Sequence, residues 1–269
     1  MTKITQSVSK LSKLIKPIFQ KIFYPKGHQH VLLIMGCQRS GTTLISNVFD
    51  QIRYARVFGE FSSLSNIDPS RIRLNPIDNV KKQLHSVSAP LVVTKPLVES
   101  QNATYLLNHI KNSHILWVIR DYKDVALSDI KKFTKSAGHG NILPIIKGEL
   151  NNWRAENISK ETLTIINELY SDKLNALEYA CLFWYVRNIL YFEQGLDKLD
   201  TTTTWSYEQF VSEPLNHINI LLTKLKLKVQ PNKVVNNVFD HSVGSAENFD
   251  INADITILCE SLMGRFTNI

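Results

Sequence analysis

Long apolar runs are missing from this sequence of 269 residues. Runs such as Val31 to Met35 are far shorter than the roughly 20 apolar residues that a membrane-spanning helix needs. The start of the chain also lacks the apolar core of a secretory signal, because lysines interrupt it at Lys10, Lys13, Lys16 and Lys21. The sequence therefore predicts no transmembrane segment and a cytoplasmic location.

Cysteine is scarce as well. Cys37, Cys181 and Cys259 are odd in number, widely spaced and without metal-ligand spacing, and no histidine pairs with Asp or Cys at such spacing. We expect reduced, partly buried thiols and no metal site. The alternative, a catalytic thiol with a histidine partner, lacks a recognisable nucleophile motif.

Acidic residues are absent from the first 49 positions, which carry six lysines and Arg39. These seven cations equal the whole net charge of +7, so the rest of the chain is balanced. An anionic small ligand or a membrane surface can account for such charge, and we expect no nucleic-acid partner.

The basic segment has a helical pattern. Residues 4–23 place apolar side chains at helical spacing between lysines, with a kink expected near Pro17. Docking on the protein's own body is the simpler interpretation, and peripheral contact with an anionic membrane is the alternative. We expect this segment, residues 1–28, to precede a single domain over residues 29–269.

The domain itself has an α/β pattern. Buried strands are predicted at Val31–Met35, Leu91–Val93 and Ile115–Ile119, with helices between them and a further strand at Thr201–Ser206. This order predicts a parallel sheet with helices on both faces, a three-layer architecture. Residues 134–180 look polar and irregular, and we interpret them as an insertion that covers the site.

The segment GCQRSGTTL, residues 36–44, lies between the first strand and a helix expected over Thr42 to Gln51. Backbone amides in such a loop, with the helix N-terminus, can cradle an anion. The loop keeps the G-x4-G spacing at Gly36 and Gly41, but Thr42 stands where a Walker A loop has its lysine. A helix simply capped by Ser or Thr is the alternative.

RSGTT, Arg39 to Thr43, resembles the first signature of the sulfotransferases that use 3′-phosphoadenosine 5′-phosphosulfate (PAPS), and implies a P-loop-like sulfotransferase fold. The resemblance implies that the 5′-phosphosulfate is bound by Arg39, Ser40, Gly41, Thr42 and Thr43. The second signature is WVIRDYKDVALSDIKKF, in which Arg120 ends a strand and Ser128 follows eight residues later. It implies that Arg120 and Ser128 hold the donor's 3′-phosphate. A surface ion pair of Arg120 with Asp121 or Asp124 is the alternative.

A third match is WSYEQFVSEP, residues 205–214, which implies that Tyr207 approaches the donor's adenine. An aromatic side chain at a strand end can instead belong to the core. Near the C-terminus the family's R-K-G element is absent, and Ser242, Gly244 and Ser245, or Arg265, are weak substitutes.

Catalytic residues also follow from the resemblance. Leu97 occupies the place where the cytosolic phenol and steroid branch has its histidine, whereas VFGEF offers Glu60 where the tyrosylprotein and bacterial branch has its base. Lys95 and Arg39 would stabilise charge on the leaving oxygen, so that no metal is required. The alternatives are a solvated or helix-capping carboxylate for Glu60 and a surface position for Lys95.

These signatures predict transfer of a sulfuryl group from PAPS to a hydroxyl or amine of a small-molecule acceptor. Glu149 and Glu156 could suit a cationic acceptor, such as a guanidinium toxin of bacterial secondary metabolism. The competing hypotheses are a P-loop kinase of small molecules and a non-catalytic nucleotide-binding adaptor at a membrane surface.

Overall fold

The structure is a computed structural model that describes residues 15–24, 29–133, 136–227, 243–244 and 250–268. Its centre is a five-stranded parallel sheet in the order β2-β3-β1-β4-β5. The strands are β1 (His30–Gly36), β2 (Ala55–Phe58), β3 (Leu91–Thr94), β4 (Ser113–Ile119) and β5 (Thr202–Ser206).

Helices connect and cover these strands. In the described parts of the chain they are α1 (residues 15–23), α2 (Thr42–Gln51), α3 (Ile77–His85), α4 (Ala103–His109), α5 (Tyr122–Phe133), α6 (Ser136–Ile146), α7 (Lys160–Leu169), α8 (Ala176–Glu193), α9 (Tyr207–Ser212), α10 (Pro214–Lys224) and α11 (Ala253–Thr267). Short 3-10 helices lie at Ser63–Ser65, Leu97–Asn102 and Leu196–Lys198.

The central strand β1 supplies two cores, one on each face of the sheet. Leu33 and Met35 belong to the cluster that includes α5, α8 and α11, whereas Leu32 and Ile34 belong to the cluster that includes α2 and α10. Alternate side chains of a strand point to opposite faces, so a strand that is apolar at every position is buried on both. The predicted three-layer α/β architecture is confirmed.

The strand order brings the functional candidates to one edge. From β1 the chain passes to β2 and β3 on one side and then to β4 and β5 on the other, so the strand order reverses direction beside β1. In parallel sheets, ligands bind at such a point of reversal, at the carboxyl ends of the strands. The residues that follow the five strands at this edge are Arg39, Glu60, Lys95, Arg120 and Tyr207.

Residues 136–180 are largely helical, so the expectation of an irregular stretch was wrong, whereas their role in covering the site stays a prediction. They include α6 and α7, and α7 begins at an N-cap in which Ser159 accepts a hydrogen bond from the Thr162 amide. The sequence of α6 contains Gly138 and Gly140, whose local preference favours a loop over a helix. A Cβ at Gly138 would lie 2.8 Å from the backbone oxygen of Ala176, so this glycine lets α6 approach α8 closely.

Helix α1 docks on the body of the protein, as the simpler interpretation proposed. Lys16 Nζ donates to the backbone oxygen of Asp50 at 2.6 Å, and Gln20 Nε2 donates to that of Ala55 at 3.0 Å. Residues 4–14 of the predicted helix lie outside the described residues. Over the described residues, no helix is both long and apolar enough to cross a membrane.

Candidate active site

The loop after β1 turns into α2 through residues with left-handed backbone angles. Gly41 caps α2 with φ of 84°, in the left-handed region, and a Cβ there would lie 2.1 Å from the Tyr207 ring. The hydroxyl of Ser40 is fully buried and has no hydrogen-bond partner among the described residues. A buried donor of this kind at a helix N-terminus fits an anionic oxygen.

Lys95 joins this loop to the predicted base. Its Nζ donates to Thr43 Oγ1 at 3.0 Å and to Glu60 Oε2 at 2.9 Å. The Lys95 side chain is 8% exposed and that of Glu60 25%. Lys95 is therefore not a surface lysine, and one ammonium connects the phosphate-type loop with a partly accessible carboxylate. The paired strands β2 and β3 end side by side, which explains the contact.

Arg39 reaches across the sheet edge to α5. Its Nε and Nη2 atoms both donate to Ser128 Oγ, at 3.1 and 3.0 Å. The sequence placed Ser128 beside Arg120, whereas in this structure Arg39 is the residue bonded to it. Arg39 also adopts a left-handed backbone with φ of 69°, which a bulky residue rarely does and which often marks a functional site.

Arg120 lies beneath the loop. Its Nη1 donates to the backbone oxygen of Arg39 at 3.3 Å, and its Cζ lies 4.5 Å from the centre of the Tyr207 ring. Nη2 lies 3.4 Å from Asp124 Oδ2, with both side chains buried. The alternative ion pair with Asp124 is thus present, but in the interior rather than on the surface. The indole of Trp184 fixes the end of β4 by donating to the Arg120 backbone oxygen at 3.0 Å.

Tyr207 is a buried ring, 5% exposed, between Gly41 and the Arg120 guanidinium. It therefore supports the loop from the side of β5, in agreement with the core alternative. Contact between Tyr207 and an adenine stays a prediction.

Of the weak C-terminal candidates, Gly244 reaches the site. Its amide donates to Asp124 Oδ2 at 2.9 Å, so this carboxylate also holds the returning C-terminal chain. Arg265 instead lies over the Phe192 ring, with Cζ 3.8 Å from the ring centre. Ser242 and Ser245 lie outside the described residues.

A cleft of about 480 Å³ opens beside the loop. Its walls combine apolar side chains with three cations and one carboxylate. The lining residues are Gln38, Arg39, Thr42, Thr43, Glu60, Phe61, Ile72, Lys95, Leu97, Val98, Phe133, Gly140, Asn141, Trp153 and Arg154. The predicted catalytic residues therefore face a space that can hold a small acceptor.

The acidic residues suggested for a cationic acceptor do not line this cleft. Glu156 Oε2 accepts from Arg73 at 2.9 Å and from Gln101 at 2.8 Å, within a polar network that also includes Glu99. Glu149 lies in an exposed turn and accepts from Asn152 at 3.3 Å. Glu156 is bound within the fold and Glu149 lies outside the cleft, so a role for either in binding the acceptor stays a prediction.

Sequence reasoning missed three polar residues of this region. Asn141 and Arg154 line the cleft, and Asp129 is buried behind it with neither carboxylate oxygen bonded among the described residues. Burial raises the Asp129 pKa, although the guanidinium groups of Arg39 and Arg154 oppose the shift. Asp129 follows the signature residue Ser128, and this adjacency was the only available signal.

The cysteines are free and buried, and burial raises the pKa of the Cys37 thiol well above its usual range. A catalytic thiolate is therefore disfavoured at Cys37. In the described parts of the chain, no group of three or more His, Cys, Asp or Glu side chains is arranged to hold a metal ion.

Comparison with solved structures identifies related folds. The sulfotransferase domain from the curacin biosynthetic pathway superposes with a TM-score of 0.54 and 13% identity, over 87% of this chain and 98% of that one. The sulfotransferase domain from the Synechococcus PCC 7002 olefin synthase gives 0.52 and 13%, over 89% and 98%. At such identities the likeness establishes the fold alone.

The sequence comparison establishes the family. No curated protein matches the chain significantly. The family model described as the sulfotransferase domain matches residues 29–259, which is most of the chain. This chain therefore belongs to the sulfotransferase domain family and is a sulfotransferase enzyme.

Proposed function

We propose that this enzyme transfers a sulfuryl group from PAPS to a hydroxyl or amine of a small molecule, with Glu60 as the base. The observation that carries the proposal is the position of Lys95 Nζ, 3.0 Å from Thr43 Oγ1 and 2.9 Å from Glu60 Oε2. One cation thereby connects the loop that would hold the donor with the carboxylate that would deprotonate the acceptor.

The residues present fit the donor's anionic groups. Ser40, Thr42 and Thr43 place hydroxyls at the N-terminus of α2, and the Ser40 hydroxyl is buried without a described partner. Arg39 and Lys95 add the positive charge that an anionic group favours. Arg120 and Ser128 lie at the base and side of the same loop, where the second signature assigns them to the 3′-phosphate.

PAPS supplies the activated sulfuryl group when bound. Glu60 then accepts the proton of the acceptor's hydroxyl or amine as the new bond to sulfur forms. The bond from sulfur to the 5′-phosphate oxygen breaks, and 3′,5′-adenosine diphosphate (PAP) leaves. Lys95 and Arg39 offset the charge that develops on that leaving oxygen.

The cleft disfavours the guanidinium acceptor considered from the sequence. Arg39, Lys95 and Arg154 line it, against the single carboxylate of Glu60. A cationic acceptor would meet like charges in a partly apolar space, which is costly. We therefore propose a small acceptor that is neutral or anionic.

Label transfer tests this function. The purified enzyme is incubated with PAPS that carries a sulfur label and with a panel of neutral and acidic alcohols and amines. We expect labelled acceptor and an equal amount of PAP from the wild type, and at least about 100-fold slower formation of both by Glu60→Gln. Label appearing in an acceptor at the same rate in that variant would assign the base elsewhere.

A further inference from the structure

Arg154 is held at the cleft by two neighbours. Its Nε donates to Asn141 Oδ1 at 2.7 Å, and its Cζ lies 4.4 Å from the centre of the Trp153 ring. These contacts fix the plane of the guanidinium. Among the described residues, neither Nη group of Arg154 has a hydrogen bond or an ion pair, so the fork of donors is available to a ligand.

The nearest buried acid does not neutralise this arginine by contact. Asp129 is 4% exposed, and its charge acts on both Arg154 and Arg39. No ion pair within 4.0 Å joins Asp129 to either arginine in the described part of the chain. Asn141 and Trp153 thus hold the Arg154 guanidinium at the cleft, where it forms no ion pair with Asp129.

One part of the cleft wall is apolar and partly exposed. The side chains of Phe61 and Phe133, 67% and 49% exposed, line it together with the buried Leu97 and Val98. Such a patch beside a fixed cation suits a molecule with an apolar body and one anionic group.

The other two cations of the cleft already have roles in the proposed reaction. Lys95 bonds Thr43 and Glu60, and Arg39 bonds Ser128. Among the described residues Arg154 has no hydrogen bond or ion pair to any of these, and it lies in the segment between α6 and α7. It is therefore the cation left for the acceptor.

We propose that Arg154, held by Asn141 and Trp153, binds the carboxylate of an acceptor whose remaining body is apolar and carries the hydroxyl or amine to be sulfated. A planar guanidinium pairs with a carboxylate through two parallel hydrogen bonds, which lysine cannot reproduce. The role of this ligand as acceptor rests on the proposed function, but its binding to Arg154 is testable without it.

Three probes of equal chain length distinguish the acceptor chemistries. The protein, alone and saturated with PAP, is titrated calorimetrically with 8-hydroxyoctanoate, 1,8-octanediol and 8-amino-1-octanol. We expect the carboxylate to bind at least about 10-fold more tightly than the diol, as a charged hydrogen bond predicts, and the amine to bind most weakly. Equal affinities, tighter binding of the amine, or silence from all three would overturn the proposal.

Variants assign the preference to one residue. Arg154→Gln should remove the advantage of the carboxylate while leaving the affinity for the diol unchanged, and Arg154→Lys should retain part of it. Lys147→Gln removes an exposed cation outside the cleft, so it should leave the affinities for both the carboxylate and the diol unchanged. Equal losses for carboxylate and diol in Arg154→Gln would mean that Arg154 only shapes the cleft. If that variant does not fold, the wild-type order of affinities decides.

The same titrations keep the two proposals separate. Carboxylate selectivity through Arg154 in a protein that does not bind PAP would refute the donor assignment alone. PAP binding without carboxylate selectivity would refute the acceptor class alone.

Discussion

Arg39 donates two hydrogen bonds, from Nε and Nη2, to the hydroxyl of Ser128 on α5. The bond joins the first signature of the chain to the second across the sheet edge. It also fixes the guanidinium beside the cleft, in a residue whose backbone is already left-handed. Ser128 thus positions Arg39, in addition to the contact with the donor's 3′-phosphate that we propose for it.

Ser128→Ala should weaken PAP binding about 10-fold, because a hydrogen bond to a charged group contributes roughly 1.5 kcal/mol or more. Calorimetric titration with PAP measures this loss of affinity. Ser261→Ala on the exposed side of α11 is the matched control and should bind as the wild type does. Tighter binding by Ser128→Ala would mean that Ser128 holds Arg39 away from the donor.

Arg120→Ala should reduce PAP affinity by roughly 1.5–3 kcal/mol through a lost charged hydrogen bond. It should also lower the free energy of unfolding by on the order of 3 kcal/mol, because the buried Asp124 carboxylate loses its cationic partner and, among the described residues, keeps only the Gly244 amide as a donor to Oδ2. The double variant Arg120→Ala with Asp124→Asn should recover stability but not affinity. Recovery of both would remove Arg120 from the donor site.

Glu60→Gln should lower turnover by about 10²- to 10⁴-fold, the usual contribution of a general base, with PAP affinity nearly unchanged. Steady-state rates and a PAP titration measure the two effects. Glu149→Gln, in the exposed turn, removes a carboxylate outside the cleft and should have full activity. Parallel losses of turnover and PAP affinity in Glu60→Gln would instead indicate a role in binding the donor.

Asp129→Asn should stabilise the protein at neutral pH. Burial raises the folded-state pKa of Asp129 above its ordinary value of 3.8, so its ionised form destabilises the fold. That penalty is absent below the unfolded pKa and grows as pH rises through the folded pKa. The stability gain of the variant, measured by denaturant unfolding, should shrink as pH falls toward 4. A gain independent of pH would contradict this account.

The sequence predicted those parts of the site that lie within short segments. The apolar strand, the glycines and RSGTT are adjacent in the chain, and the loop at residues 36–41 follows from them. Glu60 and Lys95 follow neighbouring strands, so parallel pairing alone brings them to one edge.

The contacts that the sequence did not predict join distant segments. Arg154 and Asn141 meet because the segment after α6 folds back on that helix, and no periodic pattern marks either residue. Helix α6 was missed because Gly138 and Gly140 favour a loop by local preference, whereas packing against α8 requires a small residue at Gly138. Tertiary contacts decided both cases.

Calorimetric titration with PAP, alongside ATP with Mg²⁺ in a parallel cell, tests the donor assignment most directly. The loop has Thr42 where a kinase of this type has its lysine, and Arg39, Lys95 and Arg120 surround it. We predict tight binding of PAP and little binding of ATP with Mg²⁺. Tight binding of ATP with Mg²⁺ and none of PAP would contradict the assignment and favour a kinase.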